Sequence, residues 1–234
     1  ALSAQQLGAI STSAISSLNQ NQLSGILPRA VSGLTTDQIQ ALGVVGLSYF
    51  SAAQLGGLSG SQFNGFKTEQ ISALTSSQVR GLTESDIANL TLDQQAKFGA
   101  QQIAALTSQQ IQSLTTTFIS ALDDARARSI STSAIAGLNT DQIQAIDPSI
   151  ISAFSSSQVF GMTTAQIKAL KDTQIRSLGS LQAPGLSNAA IAAFSSDQIV
   201  QLSPDVVGNF RPGQVVALTT DQISALTIDQ IHHL

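Results

Sequence analysis

The only histidines, His232 and His233, are neighbours near the end of the chain. An adjacent pair with no third ligand in view is a poor metal site. Surface placement is the expectation for both. The densest charge cluster is Asp123, Asp124, Arg126 and Arg128. It could contact a partner or break the local pattern, but a solvated, salt-linked segment is the simpler reading. Cysteine is absent, which excludes disulfides, thiolate metal sites and a cysteine nucleophile and leaves the redox compartment open. No G-x-S-x-G elbow, phosphate loop or zinc motif occurs. The many serines fall at a recurring structural position described below. No acid–base pair or nucleophile constellation can be assembled. The expectation is therefore no catalytic, cofactor-binding or metal-binding residues, no cofactor and no enzymatic activity.

Composition narrows the partners. Charged residues make up 10% of the 234 and the net charge is −4, so the basic footprint of a nucleic-acid binder is missing. There is no Trp and one Tyr, too few aromatics for a base-stacking platform. A hydrophobic content of 42% is too high for a disordered tail, yet no apolar run approaches the length of a membrane span. No leader peptide is visible and the sequence opens in mid-pattern, as expected of a mature or excised segment.

That pattern is an octad. Stepping by eight from Leu2 passes Ile10, Leu18, Ile26 and Leu34 and continues to Leu226 and Leu234, through 29 complete octads without insertion. Every one of these position-1 residues is apolar. Position 6 is Ile, Val, Leu or Phe except at Gln95, Ala127 and Ala183. Position 5 is most often Gln, position 2 Ser or Thr, and position 8 Ala or Gly, giving the consensus L-T-x-x-Q-I-x-A.

Ser or Thr followed three residues later by Gln is capping-box spacing, in which the hydroxyl accepts from the helix and the Gln reaches back to the cap N–H. A helix therefore starts at position 3. Proline suits the first helical position, and Pro28, Pro148, Pro204 and Pro212 all stand at position 3, with Pro184 at position 7 the exception. A continuous helix fails, because eight residues overshoot two turns by roughly 80° and would spiral the apolar stripe around the surface. A one-faced strand fails too, since positions 1 and 6 would point to opposite sides. One helix of about six residues per octad remains, ended around position 8, where glycine favours termination. The small position-8 residues let neighbouring helices approach closely.

Such a helix is far shorter than the roughly 12–15 residues needed for marginal stability alone. Octads must therefore stack on one another as a solenoid. The expected fold is all-α: a superhelix of very short helices over residues 1–234, with positions 1 and 6 inside and 3, 4 and 7 outside. The repeated Gln is expected to cap and to hydrogen-bond between turns; a ligand-binding ladder would need it to face outward. Rows of Ser and Thr ordering water, as an ice-binding surface does, are a lesser option given their capping role. Octads 42–49, 122–129 and 178–185 are irregular and read as bends, contact sites or relaxed spacer. Residues 10–33, 130–153 and 186–209 resemble one another as three-octad blocks, which points to growth by block copying. No polar terminal octad is present, so the array is expected either to continue or to stack end to end on other chains.

The L-T-x-x-Q-I-x-A octads resemble repeat segments of very large bacterial secreted or surface proteins, adhesin-like or haemolysin-like. The likeness spans the whole chain and carries no catalytic positions. It implies an extracellular or cell-surface setting and a scaffold role. The calcium-binding Gly/Asp nonapeptides of many secreted proteins are absent. The expected function is a structural rod or spacer, with self-association or end-to-end stacking as its own protein contact. The alternative is a solenoid that binds a protein, peptide or surface glycan. Neither nucleic acid nor a membrane span is expected.

Overall fold

The computed structural model describes residues 2–234. Among them the secondary structure is entirely helical, with no strand. Nearly every octad forms one short helix, such as Thr68–Ser72, Ser76–Gly81 or Thr164–Ala169. Each starts at position 3, as the capping spacing predicts. At Thr75 the hydroxyl accepts from the Gln78 N–H at 3.3 Å while Gln78 Oε1 accepts from the Thr75 N–H at 2.9 Å. Pro28, Pro148, Pro204 and Pro212 each open a helix, where the missing N–H costs no hydrogen bond.

The helices end around position 8, as expected, with Gly25, Gly65 and Gly161 as closing residues. A left-handed cap is not used: Gly25, Gly65 and Gly161 sit at φ of −79°, −78° and −73°. The chain leaves the helix through two extended residues, as at Leu82 (φ −69°, ψ 140°) and the following cap Thr83 (φ −78°, ψ 163°). The position-8 glycines also permit the close packing expected of small residues there. A Cβ on Gly81 would lie 2.6 Å from the Ala52 carbonyl oxygen and Cβ, and one on Gly161 would lie 2.6 Å from the Thr132 oxygen. Gly33 and Gly185 are pressed in the same way against Ala4 and Ser156. In each case position 8 rests on position 3 of the octad three steps earlier.

The chain forms two compact units, one running to Phe118 and the other spanning Ile119–Leu234. In the first, Ala4–Gly8 packs on Pro28–Gly33, and Ser76–Gly81 on both Ala52–Leu55 and Ala100–Ala105. In the second, Thr164–Ala169 packs on Thr140–Ala145 and Asn188–Ala193, and Pro204–Gly208 on Ile228–His233. Partners are three octads apart throughout. Positions 1 and 6 line both interiors: Leu74, Ile71, Val79 and Ile103 in the first and Ile167, Leu170 and Ile175 in the second are all buried. Outward positions are mostly polar and exposed.

Octad 42–49 departs from this plan. It has Gly43 where the cap hydroxyl should be, and the helix Thr36–Ser48 runs through it with a kink at that residue (φ 62°, ψ −169°). This is the left-handed side of backbone space, open to glycine and strained for other residues.

Gly81→Val should destabilise the fold by about 1–3 kcal/mol, because the backbone facing it cannot yield. Gly99→Ser should be neutral or gain a few tenths of a kcal/mol, because Gly99 stands in open space at a cap whose hydroxyl is missing. Urea denaturation followed by circular dichroism measures both. Equal costs at the two sites would refute the close-packing role.

Candidate functional site

The groups with the most demanding geometry are the position-5 glutamines. Gln54, Gln78, Gln102, Gln166, Gln174 and Gln222 are no more than 5% exposed. Each side chain joins three backbone groups. Oε1 of Gln166 accepts from the Thr163 N–H at 2.8 Å, while Nε2 donates to the carbonyls of Ile135 and Leu138 at 2.7 and 2.6 Å. Gln102 does the same with the Gly99 N–H and the Ile71 and Leu74 carbonyls. The acceptors stand 31 and 28 residues back in the sequence, so one turn of the coil takes between three and four octads. A row of glutamines facing a ligand is thereby excluded, because these side chains point inward and their polar atoms are engaged.

Each half of the capping box also occurs without the other: Ser11, Ser131 and Ser187 cap helices that have alanine at position 5. Where position 2 is Lys67, Lys171 or Arg211, the backbone N–H still donates to the Gln carbonyl oxygen at 2.9, 2.9 and 2.7 Å. Where a hydroxyl is present it accepts from its own helix, as Ser155 does from Gln158 and Thr219 from Gln222. The position-2 rows are thus occupied as caps.

Two octads depart from the ladder informatively. Octad 82–89 has Asp86 at position 5, and it is 2% exposed. Its carboxylate accepts from the Thr83 N–H at 2.7 Å, but an ionised carboxylate has no proton for the carbonyls of the preceding turn. Burial pushes its pKa above the ordinary value, against the lowering hydrogen bonds from Thr83. Octad 114–121 has Phe118 at position 5. There Gln95, the polar exception at position 6, takes over from the turn below. Its Oε1 accepts from the Thr115 N–H and hydroxyl at 3.2 and 2.9 Å, and its Nε2 donates to the Leu90 carbonyl at 3.2 Å. A consensus glutamine in place of Phe118 would reach this same carbonyl, since Leu90 stands at the register of the nearer acceptor one turn back. The amide and the apolar side chain have exchanged places between turns. In the sequence Gln95 stands out as an exception, but no register there pairs it with position 118.

The charged cluster is local. Asp123 caps the helix Asp124–Ser129, accepting from the Arg126 N–H at 2.8 Å, and pairs with Arg126 Nε at 2.9 Å. These contacts, led by the backbone N–H of Arg126, hold the Asp123 carboxyl below its ordinary pKa. Arg126 also donates to the Ala121 carbonyl. Nδ1 of His233 donates to the Asp229 carbonyl at 2.7 Å, and both His232 and His233 are exposed. Among the described residues no three His, Cys, Asp or Glu side chains gather as a metal site would require.

Open grooves occur in both units; one of about 560 Å³ in the first is lined by both Arg80 and Glu84. Two open grooves of about 550 and 530 Å³ flank octad 178–185. Phe160, Pro184 and Arg211 line one, and Leu181 and Arg128 line the other. Phe160 is 63% exposed and Leu181 87%, both at outward positions. No protein-family model matches the chain, and no curated protein does either.

Asp86→Gln should stabilise the protein by about 1–2 kcal/mol at neutral pH by restoring the amide donor. The native carboxyl titrates above its unfolded value, so its protonated form is favoured by folding. That contribution is complete below the unfolded pKa and is lost as pH rises through the folded one. The advantage of Asp86→Gln should therefore shrink on acidification, and thermal melts across the acidic range would reveal a constant or growing gain if the assignment is wrong.

Gln95→Ile and Phe118→Gln should each cost about 1–3 kcal/mol, while the double variant, which recreates the consensus, should recover most of the loss. A double-mutant cycle by chemical denaturation checks this, and simple additivity would contradict the exchange.

Proposed function

We propose that this chain is a structural repeat scaffold, a spacer in a bacterial secreted or cell-surface protein. The observation that carries this reading is the backbone-directed ladder. Each Gln contacts main-chain atoms of the preceding turn, not particular side chains, so any octad fits on any other and length is free to vary. The outward positions add no chemistry of their own: they are largely Ser, Thr, Gln and Ala. No helix is long and apolar enough to cross a membrane. Stacking between chains would repeat the contact made between consecutive turns, which is how a scaffold of this kind would self-associate. A second reading, a binding module, is favoured by the exposed Phe160 and Leu181 beside the two grooves.

Removing residues 202–225, three whole octads, tests interchangeability. Gln230 then faces the carbonyls of Ile175 and Leu178 in place of Ile199 and Leu202. Helical signal per residue should be unchanged, and fluorophores attached at the two chain ends should move closer. Loss of helicity beyond the deleted share would oppose a scaffold built of equivalent units.

A further inference from the structure

Octad 178–185 treats its two sides differently. Inside, it keeps the position-1 leucine and the position-5 amide, with Ala183 as a small exception at position 6. Leu178 is buried, and Gln182 donates to the carbonyls of Ile151 and Phe154 at 2.6 and 3.0 Å. Outside, it departs from the repeat. Gly179 replaces the cap hydroxyl, Leu181 stands at position 4 where polar residues are usual, and Pro184 at position 7 accompanies the tighter helix Ala183–Gly185. Phe160, at position 7 three octads earlier, adds a second large apolar group to the same stretch of surface. The core has been kept while the outer face has been changed.

The charged side chains that line the two grooves have one sign. Arg211 lines the groove that holds Phe160 and Pro184, and Arg128 lines the groove that holds Leu181. No acidic residue lines either groove, and among the described residues neither arginine has an ion pair or a side-chain hydrogen bond. In a chain of net charge −4, two guanidinium groups without ion pairs beside exposed apolar side chains form a local positive and apolar strip. Each groove is within the usual range of roughly 300–1,000 Å³ for a ligand site. Being open and side by side, they suit an extended chain better than an enclosed small molecule.

We infer that the strip around octad 178–185 binds an extended acidic peptide segment of another protein, whose apolar side chains lie against Phe160, Pro184 and Leu181 and whose carboxylates pair with Arg128 and Arg211. Planar guanidinium groups suit bidentate carboxylate contacts, and the aromatic and aliphatic side chains supply the desolvated anchors that carry most of the energy in such contacts. This inference rests on the binding reading and not on the scaffold one; both properties are compatible in one solenoid.

The test uses the full chain and a fluorescein-labelled synthetic peptide alternating Glu with Leu, read by fluorescence anisotropy, beside a peptide with Lys in place of Glu. The Glu peptide should bind and the Lys peptide should not. Arg128→Glu with Arg211→Glu should weaken binding by roughly tenfold or more, mainly through charge, and this loss should diminish at high salt. Leu181→Ser with Phe160→Ser should weaken it comparably at any salt. These four side chains lie outside the core, so the variants should keep the native circular dichroism spectrum; Val216→Ser, 85% exposed and outside both grooves, should bind as the parent does. Equal binding of both peptides, no binding of the Glu peptide, or unchanged affinity in the groove variants would overturn the inference. The octad-deletion result bears only on the scaffold, so the two readings fail separately.

Discussion

The structure depends on one side-chain amide that serves three backbone groups at once. A helix of about six residues leaves most of its N–H and C=O groups without helical partners, and an octad repeat creates this deficit every eight residues. Serine and threonine meet part of it within the octad. Glutamine meets the rest between octads, with its oxygen on a cap N–H and its nitrogen on two carbonyls one turn away, as Gln54 shows with Ser51, Leu23 and Ile26. Buried polar groups left unpaired are costly, and among the described residues no buried side-chain nitrogen or oxygen lacks a partner. The apolar positions 1 and 6 supply the drive to collapse; the amide sets the spacing at which collapse satisfies the backbone.

Departures from the ladder show how firmly this constraint is held. At Phe118 the amide is missing from its own octad, and Gln95 supplies it from below to the same cap and to one of the same carbonyls. At Asp86 the shorter acid keeps the cap contact and gives up the donor, and burial moves its titration accordingly. At Lys67, Lys171 and Arg211 the hydroxyl has gone while the amide stays. Either half is thus dispensable in individual octads, since Ser11, Ser131 and Ser187 cap helices that have alanine at position 5.

The same constraint separates the inner and outer faces. Residues that touch the preceding turn are mostly small groups at position 8, apolar groups at 1 and 6 and glutamine at 5. Residues facing out are free of these demands. Octad 178–185 uses that freedom, keeping its inner contacts while placing Leu181 and Pro184 outside. A scaffold of this kind can therefore carry a recognition surface without disturbing its fold.

The sequence by itself determined the helical class, the start of each helix and the identity of its inner face, because caps, prolines and apolar spacing act within eight residues. It also placed the charge pairing of Asp123 with Arg126 within reach, three residues apart. Tertiary structure alone decided the length of a turn, because the 28- and 31-residue bonds connect segments whose separation no octad encodes. It decided, too, which residue each small position 8 rests on, position 3 of the octad three steps earlier. Glycine there keeps a right-handed backbone, and at Gly81 and Gly161 it lies against the neighbouring turn. The exchange of Gln95 with position 118 and the juxtaposition of Phe160 with octad 178–185 were hidden for the same reason: they are relations between turns, and a one-dimensional repeat does not state which turns meet.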